Sequence, residues 1–279
     1  MPTPPSVRVL SADSHITEPP DTYVARIDPR FRDRAPRLVR HEQLGDVFVI
    51  DGMKRPVPMG LVAAAGKPSE SLSTFGARFD ELHRGGWDPE ARLAEQDRDG
   101  VAGEVIYPTV GMVLCNHRDL DYKKACFDAY NRWIAEYAGK HPDRLFGIGQ
   151  TAVRTPEEAV RDLEEIRRLG LRGVMLPGYP GVEDWDDSAY DPLWEAAVAL
   201  GLPLSFHILT VREELGSPPR GPPSSPRGSR RRLKGRAMRR CLRSETSALP
   251  RQRVPASRSR RDRGERRLRL RGRTRPRVP

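Results

Sequence analysis

Short apolar runs alternate with amphipathic segments over the first 210 residues of the chain. From residue 88 onward the alternation is regular, because each apolar run is followed by a segment whose apolar residues recur at every third or fourth position. The pattern predicts strands at 7–10, 104–108, 145–149, 173–176 and 203–207, and helices at 89–99, 122–140, 155–170 and 191–201. Short strands separated by amphipathic helices predict a parallel sheet with helical cover.

Local signals support the helix boundaries. Asp88 and Pro89 form an N-cap followed by a proline at the first helical position, and Gly100 is typical of a helix end. Thr155 and Glu158 have the spacing of a capping box, in which each side chain bonds to the other residue's backbone N–H.

Residues 18–86 interrupt this pattern with a long section rich in Pro, Arg and Asp. Only residues 47–50, followed by Asp51 and Gly52, are typical of a short strand and a hairpin turn. We interpret this section as an insertion that covers one mouth of the domain.

Polar residues at the ends of the predicted strands favour a (β/α)8 barrel over an open nucleotide-binding sheet. Asp13 and His15 lie at the end of the first strand, Asn116 and His117 follow the second, and His207 ends the fifth. Active sites of such barrels lie at the carboxyl ends of the strands, where these residues would converge. The glycine-rich first turn of a nucleotide-binding sheet is absent from the sequence.

Charge divides the chain into two parts. Residues 217–279 hold 22 Arg and one Lys against three acidic residues, so this segment has a net charge of +20 while residues 1–216 have −9. The segment is rich in Pro and Ser and has neither histidine nor aromatic residues. We expect an α/β barrel domain at 1–216, truncated after about five strands, and a disordered basic tail at 217–279.

The cysteines and the apolar runs indicate the compartment. Cys115, Cys126 and Cys241 lack metal-type spacing and are too few for a disulfide framework, which favours reducing surroundings. The sequence shows no signal-peptide pattern and no run of about 18 apolar residues. We therefore expect a cytoplasmic protein with no membrane partner.

Asp13 and His15 have the spacing of a metal-binding pair. Side chains two residues apart on a strand point to the same side, and carboxylate and imidazole are both metal ligands. Asp and His also end many strands as ordinary turn residues, and a histidine such as His207 also occurs in protein cores, bonded to a backbone carbonyl. From the residues alone, both interpretations stay open.

Four motifs together resemble one family. They are Ser-Ala-Asp13-Ser-His15-Ile-Thr-Glu-Pro, Arg92-Leu-Ala-Glu-Gln-Asp-Arg-Asp-Gly-Val101 before Glu-Val-Ile-Tyr-Pro108, Ala129-Tyr130-Asn131-Arg132-Trp133, and Gly201-Leu-Pro-Leu-Ser-Phe-His207. Over about residues 7–215, the chain resembles the metal-dependent amidohydrolase-related barrels of the aminocarboxymuconate semialdehyde decarboxylase type.

The resemblance implies one divalent metal ion, Zn²⁺ first and Mn²⁺ second, bound by Asp13, His15 and His207. Many members of the family have His at the first of these positions, so Asp13 departs from the commonest form while keeping a ligand type. Such an ion lowers the pKa of a bound water towards about 7, which suits hydrolysis or loss of CO₂ from a small carboxylic or carbonyl-containing substrate. Asn116 and His117 are candidates for substrate contact, and a family-like homodimer is compatible with the resemblance.

The resemblance also implies a histidine on a sixth strand and an aspartate on an eighth, and neither is found in the chain. The catalytic residues therefore stay unknown. Because apolar periodicity stops abruptly near residues 212–221, we hypothesise that the tail results from a shifted reading frame. Translating the other two frames tests this idea, which fails if neither restores apolar strands and a late Asp.

Three functions stay open from the sequence. The first is a metal-dependent hydrolase or decarboxylase, and whether this chain keeps or has lost that activity stays open. The second is binding of nucleic acid or another acidic surface through the Arg-rich tail, without base reading because no aromatic residues are interleaved. The third is an inactive partial barrel.

Overall fold

The computed structural model describes residues 8–62, 67–73, 75–180 and 184–210. The strands are β1 (Val9–His15), β2 (Arg37–His41), β3 (Gly45–Val49), β4 (Val57–Pro58), β5 (Val101–Tyr107), β6 (Leu145–Gln150), β7 (Gly173–Leu176) and β8 (Leu204–Phe206). The α-helices are α1 (Asp21–Val24), α2 (Pro89–Asp99), α3 (Val110–Leu114), α4 (Leu120–Ala138), α5 (Pro156–Arg168) and α6 (Asp191–Leu200).

Five strands form a curled parallel sheet in the order β1-β5-β6-β7-β8. Helices α2, α4, α5 and α6 alternate with these strands along the chain, as the hydrophobic pattern predicted. The described part of the chain is thus a half-barrel, which confirms the prediction of a (β/α)8-type fold with five strands. The carboxyl ends of all five strands lie at the same edge of the sheet.

Helix packing follows the predicted periodicity. Residues at spacings of three and four on α4 are all buried, namely Ala125, Ala129, Trp133, Ile134 and Tyr137. Gly147 and Gly149 of β6 leave room for Ile134 of α4 and Ile166 of α5, because a Cβ at either glycine would lie within 3.0 Å of those side chains. The core therefore lies between the sheet and its helical layer.

The predicted caps are only partly formed. Asp88 accepts a hydrogen bond from Ala91 N–H at 2.9 Å, and Gly100 ends α2 in the left-handed conformation, with φ of 70°. Thr155 accepts from Glu158 N–H at 3.2 Å, but the Glu158 carboxylate pairs with Arg154. The reciprocal half of the predicted capping box is therefore wrong, because a charged partner displaces the backbone donor.

The pairing of β1 with β5 has two irregularities that offset each other. Between Val9 and Leu10 the extra residue is on β5, whereas between Ser11 and Ser14 three steps on β1 match two on β5. The hydroxyls of Ser11 and Ser14 lie 2.8 Å apart, although residues three apart in a regular strand face opposite sides. This bulge re-aims the end of β1, where Asp13 and His15 lie.

The section between β1 and α2 contains an antiparallel sheet in the order β2-β3-β4. Strand β3 begins two residues before the predicted strand and ends one residue before its end, and Asp51 and Gly52 form a turn in the connection to β4, with Gly52 at φ of 76°. Strand β2 was not predicted because Arg37, Arg40 and His41 make it polar. The limits of the insertion at 18 and 86 stay predictions.

The open edges of the half-barrel expose apolar side chains. Val9 and Leu10 on β1 are exposed, as are Phe206 on β8 and Ile208 just beyond it. In the described part of the chain, no helix combines the length and hydropathy needed to cross a bilayer. The tail at 217–279 lies outside the described residues, so its disorder and its reading frame stay predictions.

Candidate metal centre

Asp13, His15 and His207 converge at the carboxyl edge of the parallel sheet. Asp13 and His15 lie near the end of β1, and His207 directly follows β8, 194 residues beyond Asp13. One potential ligand atom from each of the three residues lies within 4.8 Å of the other two. Asp13 Oδ1 is 3.6 Å from His15 Nε2 and 3.2 Å from His207 Nε2.

Backbone carbonyls set the orientation of both imidazole rings. His15 Nδ1 lies 3.2 Å from the Pro108 carbonyl, and His207 Nδ1 lies 3.1 Å from the Ile208 carbonyl. A carbonyl oxygen only accepts hydrogen bonds, so the Nδ1–H tautomer satisfies each of these contacts and, in a neutral ring, leaves the Nε2 lone pair for a metal ion. Nε2 of both rings faces the Asp13 carboxylate.

The three donors fit a divalent metal ion. Two imidazole nitrogens and one carboxylate oxygen suit Zn²⁺ and Mn²⁺. Ligand bonds of 2.0–2.2 Å at tetrahedral angles place neighbouring donors about 3.3–3.6 Å apart. The distances of 3.2 and 3.6 Å from Asp13 Oδ1 to the two Nε2 atoms are close to this spacing, and all three ligand atoms lie within 4.8 Å of one another.

The surroundings of His15 favour its neutral form. Burial lowers the pKa of His15, and nearby His207 and Arg92 lower it further, against the opposing effects of the Pro108 carbonyl and Asp13. A neutral imidazole is the form that binds a metal ion. Lowering the pKa thus keeps His15 ready to act as a ligand at a lower pH.

The cluster opens towards the concave face of the sheet. The side chain of Asp13 is 71% exposed, whereas that of His207 is 13% exposed. The Tyr107 ring lies beside both imidazoles, with its centroid 6.1 Å from that of His15 and 5.4 Å from that of His207. A cavity of about 510 Å³ reaches from Tyr107 to Arg172 and Pro203, which precede β7 and β8, and Asp13, His15 and His207 do not line it.

Asn116 and His117 contact protein groups in the structure. Asn116 Nδ2 donates to the Leu209 carbonyl at 2.8 Å and so binds the loop that follows His207. His117 is buried, with Nε2 2.8 Å from the Asp51 carbonyl and Nδ1 3.2 Å from Asp119 N–H. Contact of either residue with substrate stays a prediction.

Two buried charged residues near the centre were not assigned a role from the sequence. Arg92 donates to the carbonyls of Gly85 and His15 and to the Glu104 carboxylate. Glu18 accepts from three consecutive backbone N–H groups after β5. Glu18 lies in the first of the four motifs, three residues after His15, and Arg92 begins the second motif. The burial of these two side chains was not readable from the sequence.

Comparison with known proteins identifies the family. The amidohydrolase family model matches residues 13–233, which extends beyond the predicted end of the resemblance at 215. The 2-amino-3-carboxymuconate-6-semialdehyde decarboxylase of Dictyostelium discoideum is 26% identical over 133 residues, which make up 47% of this chain and 37% of that protein.

A solved structure supports the fold: the crystal structure of an amidohydrolase from Mycobacterium avium subsp. paratuberculosis has a TM-score of 0.56 at 22% identity, over 73% of this chain and 59% of that one. A manganese-bound 5-carboxyvanillate decarboxylase from Novosphingobium aromaticivorans is also similar, with a TM-score of 0.45 at 22% identity, over 72% and 51%. The chain spans between 37% and 59% of the length of these relatives. The family match, with the half-barrel of amidohydrolase type, shows that the chain belongs to the amidohydrolase family.

Proposed function

We propose that Asp13, His15 and His207 bind one divalent metal ion, Zn²⁺ or Mn²⁺, in a site for hydrolysis or decarboxylation. The substrate class is a small carboxylic or carbonyl-containing molecule. The observation that carries the proposal is the convergence of two imidazole nitrogens and one carboxylate oxygen within 4.8 Å. A cation between these three atoms is attracted to all of them.

The residues around the site have different roles in binding. When bound, a divalent ion supplies Lewis-acid polarisation of a carbonyl or carboxylate oxygen. His15 and His207 hold it through rings fixed by backbone carbonyls. Tyr107 packs beside both rings and so limits their movement.

Metal analysis of the full chain tests this proposal. The chain is purified after chelator treatment, titrated with Zn²⁺ and with Mn²⁺, and analysed for bound metal by elemental mass spectrometry. We expect one ion per chain, with binding abolished in His207→Ala and unchanged in His41→Ala, whose exposed ring accepts only local backbone N–H groups. Equal binding by His207→Ala would contradict the site.

The charge of the tail favours a second candidate function. Because residues 217–279 have a net charge of +20, we propose sequence-independent binding to nucleic acid as the alternative. Affinity for duplex DNA that falls steeply with salt, and that is lost when 217–279 are deleted, supports it. An absence of binding at low salt excludes it.

A further inference from the structure

Glu18 lies three residues after His15 and is almost completely buried, with 1% of its surface exposed. Its Oε1 atom accepts hydrogen bonds from the backbone N–H groups of Thr109, Val110 and Gly111, at 3.0, 2.9 and 3.3 Å. These groups begin α3 and lack partners within that helix. One side-chain oxygen thus fixes the turn that connects β5 to α3.

The same turn also holds His15. The Pro108 carbonyl, directly before Thr109, accepts from His15 Nδ1 at 3.2 Å. Thr109 Oγ1 donates to the Ile16 carbonyl at 2.6 Å, and Ile16 N–H donates to the Tyr107 carbonyl at 3.0 Å. The end of β1 and the turn after β5 are therefore joined through the His15 ring and through both backbone groups of Ile16.

We propose that Glu18 is a positioning residue of the metal centre: its carboxyl group fixes the turn after β5, and the Pro108 carbonyl of that turn holds His15 as the Nδ1–H tautomer. The inference rests on the proposed function, since it assigns Glu18 a purpose only if His15 Nε2 is a ligand. Glu18 itself touches neither metal nor substrate.

The surroundings of Glu18 support a fixed geometry. Its second oxygen, Oε2, is buried and has no hydrogen-bond partner among the described residues. The hydrogen bonds from Thr109, Val110 and Gly111 are all accepted by Oε1. The buried hydroxyls of Tyr23 and Tyr130 likewise lack partners in the described part of the chain. The carboxyl group is thus surrounded by protein and bonded in one direction, towards the turn.

Removing the acceptor at position 18 releases the turn. Free imidazole side chains in water favour the Nε2–H tautomer, which has no lone pair at the atom facing Asp13. Without the Pro108 contact, the His15 ring can adopt that tautomer. The ring must then change its tautomer or its orientation before it binds the metal ion. The Glu18→Gln change keeps an acceptor of the same reach, while Glu18→Met keeps the volume without an acceptor.

The test measures the tautomer of His15 directly in the metal-free full chain. Nitrogen-15 NMR of histidine-labelled protein at pH 8 separates the two tautomers, and His15→Gln assigns the signal. We expect the Nδ1–H form in the wild type and in Glu18→Gln, and a shift towards Nε2–H in Glu18→Met. Leu163→Ala, a buried change in α5 away from the turn, should leave the signal unchanged.

Glu18→Asp is a second variant that tests the same inference where Glu18→Met folds poorly. Glu18→Asp shortens the side chain by one methylene, so its carboxylate no longer reaches all three N–H groups, and a smaller shift is expected. An unchanged His15 signal in every folded variant that lacks the full-length acceptor overturns the inference.

Metal titration separates this inference from the proposed function. We expect the Zn²⁺ dissociation constant of Glu18→Met to rise about 10-fold to 100-fold, and that of Glu18→Gln to change little. If the tautomer of His15 changes in Glu18→Met but the wild type binds neither Zn²⁺ nor Mn²⁺, the proposed function fails, while the effect of Glu18 on the His15 ring stands. If metal binds equally well to all variants and the tautomer does not change, the positioning role fails and the metal site stands.

Discussion

Replacing Arg92 should destabilise the fold more than a single surface contact would, because its guanidinium joins three elements. Its Nε donates to the Gly85 carbonyl at 2.8 Å, Nη1 donates to Glu104 Oε2 at 2.6 Å, and Nη2 donates to the His15 carbonyl at 2.7 Å. The side chains of Arg92 and Glu104 are 8% and 16% exposed, so their ion pair is poorly screened by water.

The expected magnitude follows from the partners that are left behind. Arg92→Met leaves the Glu104 carboxylate in a poorly solvated position without its cation, and breaking a buried pair in this way costs about 3–5 kcal/mol. That is a large fraction of a typical unfolding free energy of about 5–15 kcal/mol. Arg92→Lys keeps the charge but reaches fewer of the three acceptors, so we expect a loss of about 2 kcal/mol.

Urea unfolding of the full chain, followed by tryptophan fluorescence at pH 7.5, measures these losses. Adding Glu104→Gln to Arg92→Met should recover about 1–3 kcal/mol, because it removes the unpaired charge. Arg98→Met on the exposed face of the same helix is the matched control and should leave the urea midpoint unchanged. Equal losses in Arg92→Lys and Arg92→Met, with no recovery in the double variant, would refute the buried ion pair.

Three further outcomes are expected. Zn²⁺ at about 100 times its dissociation constant should stabilise the wild type by about 2.7 kcal/mol; thermal melts with and without chelator should show this, and an equal shift in His207→Ala would contradict the site. Burial raises the pKa of Glu18 from 4.5 to about 7, so the folded state holds a proton that the unfolded state has released. Stability should therefore fall by about 2–3 kcal/mol between pH 5 and pH 8 relative to Glu18→Gln, as followed by urea unfolding, and parallel pH profiles of the two proteins would be inconsistent with this. Burial also raises the pKa of the Cys115 and Cys126 thiols to about 12. After brief treatment of the native chain with iodoacetamide at pH 8, peptide mapping should therefore find both cysteines unmodified. Rapid labelling would show that they are accessible.

Local sequence patterns were sufficient for most elements of the parallel sheet. The predicted helix at 89–99 and the predicted strand at 173–176 match α2 and β7, since apolar spacing and caps act within a few residues. Helix α3 and strand β2 were missed, because Val110–Leu114 is too short to show a period and Arg37–His41 is polar. Short or polar elements are stabilised by their neighbours, and those neighbours are distant in sequence.

The candidate metal centre likewise has some features that the sequence determines and others that only the tertiary structure determines. The spacing of Asp13 and His15 and the position of His207 at a strand end were readable from the sequence, because strand periodicity and the carboxyl ends of strands are local properties. Only the curvature of the sheet brings His207 within 3.2 Å of Asp13. The Pro108 carbonyl that orients His15, and the Glu18 carboxyl that fixes its turn, depend on the pairing of β1 with β5. The chain itself thus determined which ligand types are present, whereas tertiary structure decided their orientation, because hydrogen bonds between distant segments exist only once the strands are in register.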